Sequence, residues 1–249
     1  MHDYFLKVEN LRKQFGGIIA SNGISLDIIR GETHALIGPN GAGKTTLISQ
    51  LQGDLVPDSG RIILNGVDVT RNPAHTRAAA GVARSFQISS VFPEFTVEQN
   101  VAMAVQARVS HSFRFWQNAG KDAVLRDQAR EALDILELNS RADVLAAELS
   151  HGERRQLELA MALAMKPRLL LLDEPLAGMG REDGLRITEI LKRLKSQYTI
   201  LLVEHDMDAV FSLSDRISVL VAGQCIVTGS PAEVRTNEKV RAAYLGHGD

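Results

Sequence analysis

The chain has 249 residues, of which 45% are hydrophobic and 23% are charged, and its formal net charge is -2. This balance is typical of a globular protein with a substantial core, and the near-neutral charge predicts no nucleic-acid partner. No apolar run reaches the ~18–20 residues that span a bilayer, and the N-terminus lacks the pattern of a signal peptide. A single cysteine, Cys225, cannot form an internal disulfide, which favours a reducing compartment such as the cytoplasm.

The first third of the chain is rich in short apolar runs typical of strands. Strands are predicted over Phe5–Val8, Ile24–Ile29, Thr33–Ile37, Gly60–Leu64, Val67–Val69 and Gly81–Phe86, and a helix over Gly43–Gln52. Asn65-Gly66 separates two of these strands and is the strongest short hairpin signal. Together with the first strands, this hairpin predicts an antiparallel β-subdomain beside a parallel sheet.

The middle of the chain is helical, and strands resume after it. Helices are predicted over Thr96–Val109, Lys121–Leu138 and Ser150–Ala164, and strands over Arg168–Leu172, Tyr198–Val203, Arg216–Val221 and Gln224–Thr228. A last helix starts at Ser230, which is followed by proline and, three residues on, by glutamate. We therefore predict an α/β core formed by residues 1–87 and 165–249, with a helical subdomain over residues 88–164.

A glycine-rich loop follows the predicted strand Thr33–Ile37 and matches the phosphate-loop pattern G-x-x-x-x-G-K-[ST] in every fixed position. Its glycines allow several N–H groups to face one point at a helix N-terminus. Lys44 adds a charge for the β- and γ-phosphates, and Thr45 offers a hydroxyl to Mg²⁺. The predicted ATP-binding residues of this loop are Gly38, Pro39, Asn40, Gly41, Ala42, Gly43, Lys44, Thr45 and Thr46.

Two adjacent carboxylates end the apolar run Leu169–Leu172. The carboxyl edge of a parallel sheet is where such folds bind ligands. Asp173 can hold Mg²⁺, and Glu174 can polarise the water that attacks the γ-phosphate. With the phosphate loop in the same chain, both residues are predicted to be catalytic-site residues.

The stretch Leu149–Gln156 resembles the signature of the ABC ATPases, commonly written L-S-G-G-Q, and precedes the Asp173-Glu174 strand as in that family. Gln87 matches the family's Q-loop glutamine, His205 its switch histidine, and Phe15 its adenine-stacking aromatic. The resemblance covers essentially the whole chain. It implies the fold of an ABC ATPase, a P-loop NTPase core with an antiparallel β-subdomain and an inserted helical subdomain.

The resemblance also implies that two such chains close head to tail around two ATP molecules. Ser150, His151, Gly152 and Glu153 of one chain would then complete the phosphate loop of the other. It implies Glu174, His205 and Gln87 as catalytic residues, and Thr45, Gln87 and Asp173 as Mg²⁺ residues, with ATP and Mg²⁺ as cofactors.

Three positions depart from the family pattern. His151 replaces the first signature glycine, and Glu153 replaces the signature glutamine. Gly180 replaces the aspartate common in the D-loop, the segment that follows Glu174, so no catalytic role is assigned to it.

Within the family, the chain looks most like the ATPase subunits of branched-chain amino-acid importers, through Gly81–Gln87, Val91–Pro93, Thr96–Val101 and Asn237–Gly246. This implies a peripheral protein at the cytoplasmic face of the cell membrane. Its partners would be integral-membrane permease subunits, a second ABC ATPase chain and, indirectly, a substrate-binding protein. We expect the permease to contact Ser89–Phe95, whose Phe92 and Phe95 look exposed. The aromatic segment Ser110–Trp116 is interpreted as packing within the helical insert rather than as a membrane contact.

Two other functions remain open from the sequence alone. A soluble ABC ATPase without a permease, such as one of iron–sulfur cluster assembly, would carry the same nucleotide motifs. A nucleotide sensor that binds without turnover is the other, although Glu174 argues against it.

Overall fold

The computed structural model describes residues 3–85, 91–108, 123–195 and 197–245, whose strands form two sheets. The strands are β1 (Tyr4–Phe15), β2 (Ile18–Ile29), β3 (Thr33–Ile37), β4 (Ser59–Leu64), β5 (Val67–Asp68), β6 (Val82–Ser85), β7 (Leu169–Asp173), β8 (Thr199–Val203), β9 (Arg216–Val221) and β10 (Gln224–Gly229). The helices are α1 (Lys44–Gln52), α2 (Ala74–Ala79), α3 (Val97–Arg108), α4 (Ala123–Ile135), α5 (His151–Ala164), α6 (Arg181–Lys195), α7 (Met207–Leu213), α8 (Pro231–Thr236) and α9 (Glu238–Leu245).

The smaller sheet is antiparallel, in the order β2-β1-β4-β5. Asn65 and Gly66 have φ angles of 48° and 81° in the turn between β4 and β5, so the predicted hairpin is confirmed. β1 and β2 extend well beyond the predicted strands and meet at Gly16-Gly17. The extension was missed because residues 12–19 lie on the surface and lack a run of buried apolar side chains.

The larger sheet has the order β10-β9-β3-β8-β7-β6, with β10 antiparallel at one edge and the other pairings parallel. Every residue of β3, β7 and β8 is buried, as a sheet covered on both faces requires. The predicted α/β class, with a parallel sheet beside an antiparallel one, is confirmed.

Successive residues of β7 and β8 point into two different cores because side chains alternate along a strand. Leu169 and Leu171 pack in the core shared with α1 and the antiparallel sheet. Leu170 and Leu172 pack in the core shared with α3, α4, α5 and α6. The central strands therefore join the antiparallel sheet on one face to the helical segment on the other.

Helices α3, α4 and α5, which lie between β6 and β7, pack against one another around buried apolar side chains. Glu98 of α3 is 7% exposed and forms ion pairs with Arg126 (2.6 Å) and Arg130 (2.5 Å) of α4. Glu137, after α4, forms ion pairs with Arg186 and Arg193 of α6. The same apolar cluster runs from these helices into β7 and α6, and the division at residues 88–164 stays a prediction.

Five of the nine helices in the described segments, α1, α3, α4, α5 and α8, were predicted with ends that differ by a few residues. Helices α2, α6, α7 and α9 were not predicted. For α6 the signal was present, because Ile187, Ile190, Leu191 and Leu194 follow helical spacing and are all buried. Among the described residues, no helix is both long enough and apolar enough to cross a bilayer.

Arg77 of α2 forms hydrogen bonds with the C-terminal end of α1, the helix that follows the phosphate loop. Its side chain is 1% exposed, and its guanidinium donates hydrogen bonds to the carbonyl oxygens of Gln50 (2.5 Å) and Leu51 (2.8 Å) in the last turn of α1. Two further bonds go to the carbonyls of Asn72 and Thr70, both at 3.0 Å. Helix-end carbonyls have no partner inside their own helix, so Arg77 satisfies groups that burial would otherwise leave unpaired.

Replacement of Arg77 by methionine should lower the free energy of unfolding by about 3 kcal/mol, because it leaves these buried carbonyls unsatisfied. Urea unfolding followed by circular dichroism measures the change. Arg71→Met is the matched control, since Arg71 is exposed, and it should change the value by less than about 0.5 kcal/mol. Equal effects of the two substitutions would contradict the role given to Arg77.

Candidate nucleotide-binding site

The carboxyl ends of β3, β8 and β7 lie side by side, and the residues after them carry the predicted chemistry. Leu36 pairs with Val203, and Val203 pairs with Asp173. The phosphate loop after Ile37, the Asp173-Glu174 pair and the Glu204-His205 pair therefore leave the sheet at nearly the same level. This edge of an open parallel sheet is the usual place for a ligand. The register brings together three segments that are far apart in sequence.

Two glycines allow the phosphate loop to pass close to neighbouring backbone. A Cβ on Gly38 would lie 2.1 Å from the carbonyl oxygen of Leu220, and a Cβ on Gly43 would lie 2.2 Å from that of Ala20. Gly43 also has a φ of 99°, a conformation that other residues rarely adopt. It is the N-cap of α1, and no side chain caps that helix end. The loop thus presents a helix N-terminus to an anion.

Lys44 lies inside the loop, close enough to Asp173 and Glu174 at the end of β7 for their charges to act on it. Its Nζ donates hydrogen bonds to the carbonyl oxygens of Gly38 (2.7 Å) and Pro39 (3.1 Å). Burial lowers the pKa of Lys44, while the charges of Glu174 and Asp173 act in the opposite direction and raise it. Because these carbonyls are neutral, a phosphate oxygen is a stronger partner for the ammonium group.

Asp173 and Glu174 lie in different environments although they are neighbours. Asp173 is 2% exposed, and its Oδ2 forms an ion pair with Arg84 Nη2 at 2.7 Å. Glu174 is half-buried and has a φ of 50°, which is uncommon for a residue other than glycine. Its N–H donates to the carbonyl oxygen of Val203 at 2.8 Å, so β8 holds this conformation. A strained residue held by its surroundings is typical of functional sites.

Glu204 connects two segments at this edge of the sheet, a role that the sequence analysis did not predict. It is 2% exposed, and its carboxylate accepts hydrogen bonds from the N–H groups of Leu176 (2.8 Å) and His205 (2.9 Å). It therefore ties the segment after Glu174 to the segment that carries the switch histidine. The ring of His205 is exposed, with Nδ1 3.7 Å from the Glu204 carboxylate. An acidic residue at the end of an apolar strand was the available signal.

Phe15 lies at the tip of the β1–β2 hairpin with 49% of its side chain exposed, as stacking on a base requires. Lys13 Nζ lies 5.5 Å from the ring centroid and also bonds to Asp58 at 2.8 Å. The hairpin is held near the phosphate loop because β2 contacts the loop at Gly43. The β9–β10 turn also links them, since Gly223 accepts a hydrogen bond from the Asn22 N–H and donates one to the carbonyl oxygen of Ala42.

The signature segment starts a helix, as predicted. Ser150 is the N-cap of α5; its hydroxyl accepts the N–H of Glu153 (3.2 Å), and the Glu153 carboxylate accepts the N–H of Ser150 (2.9 Å). Arg141 lies 2.9 Å from the same carboxylate. Glu153, one of the departures from the family pattern, thus has a structural function in a capping box.

The two other departures, His151 and Gly180, lie in different surroundings. The His151 Nε2 is 3.4 Å from the carbonyl oxygen of Ala177, and a Cβ on Gly178 would lie 3.2 Å from the same nitrogen. The imidazole thus rests on the D-loop of its own chain. A Cβ on Gly152 would lie 2.6 Å from the carboxylate carbon of Asp183, so a larger residue there would require that exposed side chain to move. Gly180 is exposed, and nothing within 4 Å would meet a Cβ there.

Some predicted residues cannot be placed. Gln87, the predicted Q-loop glutamine and Mg²⁺ ligand, lies outside the described residues, and so do Ser89, Ser90 and the aromatic segment Ser110–Trp116. Phe92 and Phe95 are described, and their exposed fractions of 45% and 39% confirm that prediction.

The residues present suit Mg²⁺. This ion prefers oxygen ligands and is usually held by one or two protein groups together with substrate phosphates. Thr45 offers a hydroxyl on the exposed first turn of α1, and Asp173 offers Oδ1, which accepts no hydrogen bond from the described residues. Bound with a nucleotide, the ion would neutralise part of the phosphate charge.

The chain is similar to known ATP-binding proteins of membrane transporters. A family model described as ABC transporter matches residues 21–177, and one described as branched-chain amino acid ATP-binding cassette transporter matches residues 224–249. The chain is 36% identical to BraF of Pseudomonas aeruginosa, a high-affinity branched-chain amino acid transport ATP-binding protein, over 97% of each chain. It is 33% identical to LptB of Haemophilus influenzae, a lipopolysaccharide export system ATP-binding protein, over 97% of each chain.

Solved structures agree with the fold. A nucleotide-free ATP-binding cassette from an ABC transporter superposes with a TM-score of 0.87 at 30% identity, over 98% of this chain and all of that one. A dimeric ATP-binding cassette in a post-hydrolysis state, bound to ADP and phosphate, superposes with a TM-score of 0.76 at 25% identity, over 91% of this chain and 98% of that one.

The capping box at α5 predicts a pH-dependent contribution to stability. The hydrogen bond from the Ser150 N–H is the main cause that lowers the pKa of Glu153 from its usual 4.5. A carboxylate with a lowered folded-state pKa stabilises the protein above the unfolded pKa, and that stability is lost as the pH falls through the folded value. Glu153→Gln should therefore be less stable than the unsubstituted protein by about 0.5–1 kcal/mol at pH 7, and this difference should shrink progressively as the pH falls below the usual carboxyl pKa of 4.5.

Chemical unfolding at several pH values measures this difference. Glu94→Gln is the matched control, because Glu94 is exposed on the surface. A difference between Glu153→Gln and the unsubstituted protein that is constant from pH 7 to pH 3 would contradict the assignment.

Proposed function

Because the chain belongs to the ABC transporter family of ATP-binding proteins, we propose that it binds MgATP at the edge formed by β3, β8 and β7 and hydrolyses it to energise a transporter. The single observation that supports this most is the register Leu36–Val203–Asp173, which places the phosphate loop beside two carboxylates. In this family, the free energy of ATP binding and hydrolysis drives a change in a separate membrane protein.

The roles of the residues follow from their chemistry. The N–H groups of 38–46 and the Lys44 ammonium bind the phosphates, and Phe15 stacks on the base. Thr45 and Asp173 would hold Mg²⁺ together with Gln87, and the ion would neutralise part of the phosphate charge. Glu174 accepts a proton from the attacking water, His205 contacts the γ-phosphate, and Gln87 would sense the metal and that water.

A second nucleotide-binding chain completes the site in this proposal. The N-terminus of α5 carries Ser150, His151, Gly152 and Glu153, and a helix N-terminus favours an anion such as the γ-phosphate of the partner's ATP. The dimeric relative with ADP and phosphate supports an assembly of two cassettes. The partner would be an identical chain or a related one.

Import of branched-chain or related amino acids is the transport we propose. BraF is a branched-chain amino acid transport protein, and the 224–249 match to the branched-chain family model supports the same class. The chain would then lie at the cytoplasmic face of the membrane, with integral-membrane permease subunits and, through them, a substrate-binding protein as partners.

The permease would dock on a groove between the core and the helical segment. The groove has a volume of about 550 Å³ and is bounded by α2, β6, α3 and α5. Met103, Met161 and Met165 line it, and Phe92 stands at its rim with its ring 5.5 Å from that of Phe95. Flexible methionines and exposed aromatics suit the apolar face of a short partner helix. Phe92 is the residue of the predicted contact Ser89–Phe95 that lines this groove among those the structure describes.

Glu174→Gln should retain ATP binding, accumulate an ATP-bound dimer and lower hydrolysis at least about 100-fold, because the base is lost while the phosphate loop is intact. Lys44→Ala should lose ATP binding and hydrolysis together. Binding of a fluorescent ATP, phosphate release and size-exclusion chromatography measure the three properties. Lys166→Ala, at an exposed lysine outside the site, is the control. Normal hydrolysis by Glu174→Gln would assign water activation elsewhere, and turnover by Lys44→Ala would refute the phosphate-loop assignment.

Crosslinking tests the groove. With Cys225 replaced by alanine, a cysteine at the exposed Glu94 should crosslink to the permease that copurifies with the chain, because Glu94 lies two residues after Phe92, which lines the groove. Val67→Cys is the control, since Val67 is 61% exposed on the antiparallel sheet. Absence of a Glu94→Cys crosslink in both nucleotide states would contradict docking at this groove.

A further inference from the structure

Arg84 of β6 bridges two parts of the nucleotide site that are distant in sequence. Its Nη2 donates to Oδ2 of Asp173 at 2.7 Å, and its Nη1 donates to Oε1 of Gln52 at 2.7 Å. Gln52 is the last residue of α1, and Asp173 is the last residue of β7. The planar guanidinium therefore spans from the helix of the phosphate loop to the carboxylate proposed for Mg²⁺.

The ion pair between Arg84 and Asp173 is largely shielded from water, so the position of each group depends on the other. The side chain of Arg84 is 11% exposed and that of Asp173 is 2% exposed. A buried carboxylate without a partner is costly, and an ion pair with two hydrogen-bonded anchors fixes both position and rotamer. Arg84 Nε is buried and has no hydrogen-bond partner within the described part of the chain, so the two Nη groups carry its bonds there.

The ion pair occupies one oxygen of Asp173 and leaves the other available. Oδ2 accepts from Arg84, while Oδ1 receives no hydrogen bond from the described residues. Groups that hydrogen-bond to a metal-binding carboxylate set its orientation, and their loss typically weakens metal affinity about 10–100-fold. Arg84 is such a hydrogen-bonding group for Asp173.

We propose that Arg84 is a positioning residue for the metal site, which orients Asp173 for the divalent cation by holding its Oδ2. This inference rests on the proposed function, since it concerns the Mg²⁺ that accompanies ATP. Arg84 and Gln52 also line the groove bounded by α2, β6, α3 and α5. The Arg84 side chain therefore connects this groove to Asp173, the carboxylate proposed to bind Mg²⁺. A partner in the groove would therefore contact the residue that positions Asp173.

The test measures nucleotide binding rather than turnover. A fluorescent, non-hydrolysable ATP analogue is titrated with Mg²⁺ on the full chain, and its affinity is also measured in EDTA. Arg84→Met should raise the Mg²⁺ concentration for half-maximal binding about tenfold, with the affinity in EDTA unchanged within twofold. Arg84→Lys, which keeps the charge but cannot bond to Gln52 and Asp173 in the same planar fork, should raise it roughly threefold. It is the variant to use if Arg84→Met does not fold.

The matched control is Arg61→Met, which removes an exposed arginine paired with Glu9 at 2.8 Å on the antiparallel sheet and should leave the titration unchanged. An unchanged Mg²⁺ requirement in the Arg84 variants overturns the inference. A lower requirement also overturns it, because Arg84 would then compete with the cation. Equal losses with and without Mg²⁺ indicate a merely structural role and overturn it as well. In each case the proposed function stands if the unsubstituted protein binds MgATP, and both fail if it does not.

Discussion

The structure depends on the register of three buried parallel strands. β3, β8 and β7 are covered on both faces, and Leu36, Val203 and Asp173 lie at one level across them. A slip of one residue would turn each strand's buried side chains to the opposite face, so the two cores that β7 and β8 enter fix this register. The phosphate loop, the two carboxylates and the histidine segment converge because this alignment brings the strand ends that carry them to one level.

Charged side chains then connect that edge to its surroundings. Glu204 joins the segment after Glu174 to the segment of His205 through main-chain N–H groups. On the other side, Arg84 joins Asp173 to Gln52 and to the groove that we assign to a membrane partner. Both residues are buried or nearly so, and each links segments that are distant in sequence. A change at the groove or at the D-loop therefore has a short physical route to the carboxylates of the site.

The features that could be predicted from the sequence are those encoded locally. The phosphate loop, the acidic end of β7, the Asn65-Gly66 turn and the capped start of α8 each depend on residues within one short segment. The bond of Arg84 to Asp173 joins residues 89 positions apart, and Arg77 reaches the end of α1 from α2, so neither leaves a local pattern. Helix α6 was missed although its buried residues follow helical spacing. The site geometry needed the tertiary fold because it is a property of strand register.

Hydrogen–deuterium exchange of the purified chain with and without MgATP tests the central claim most directly, since it reports on each segment of the sheet edge separately. If one ligand contacts the edge formed by β3, β8 and β7, amide protection should rise together in residues 38–46, 173–176 and 204–206, with the same dependence on ATP concentration. Protection confined to one of these segments, or confined to a region away from this edge, would contradict a site built by the register of the three strands.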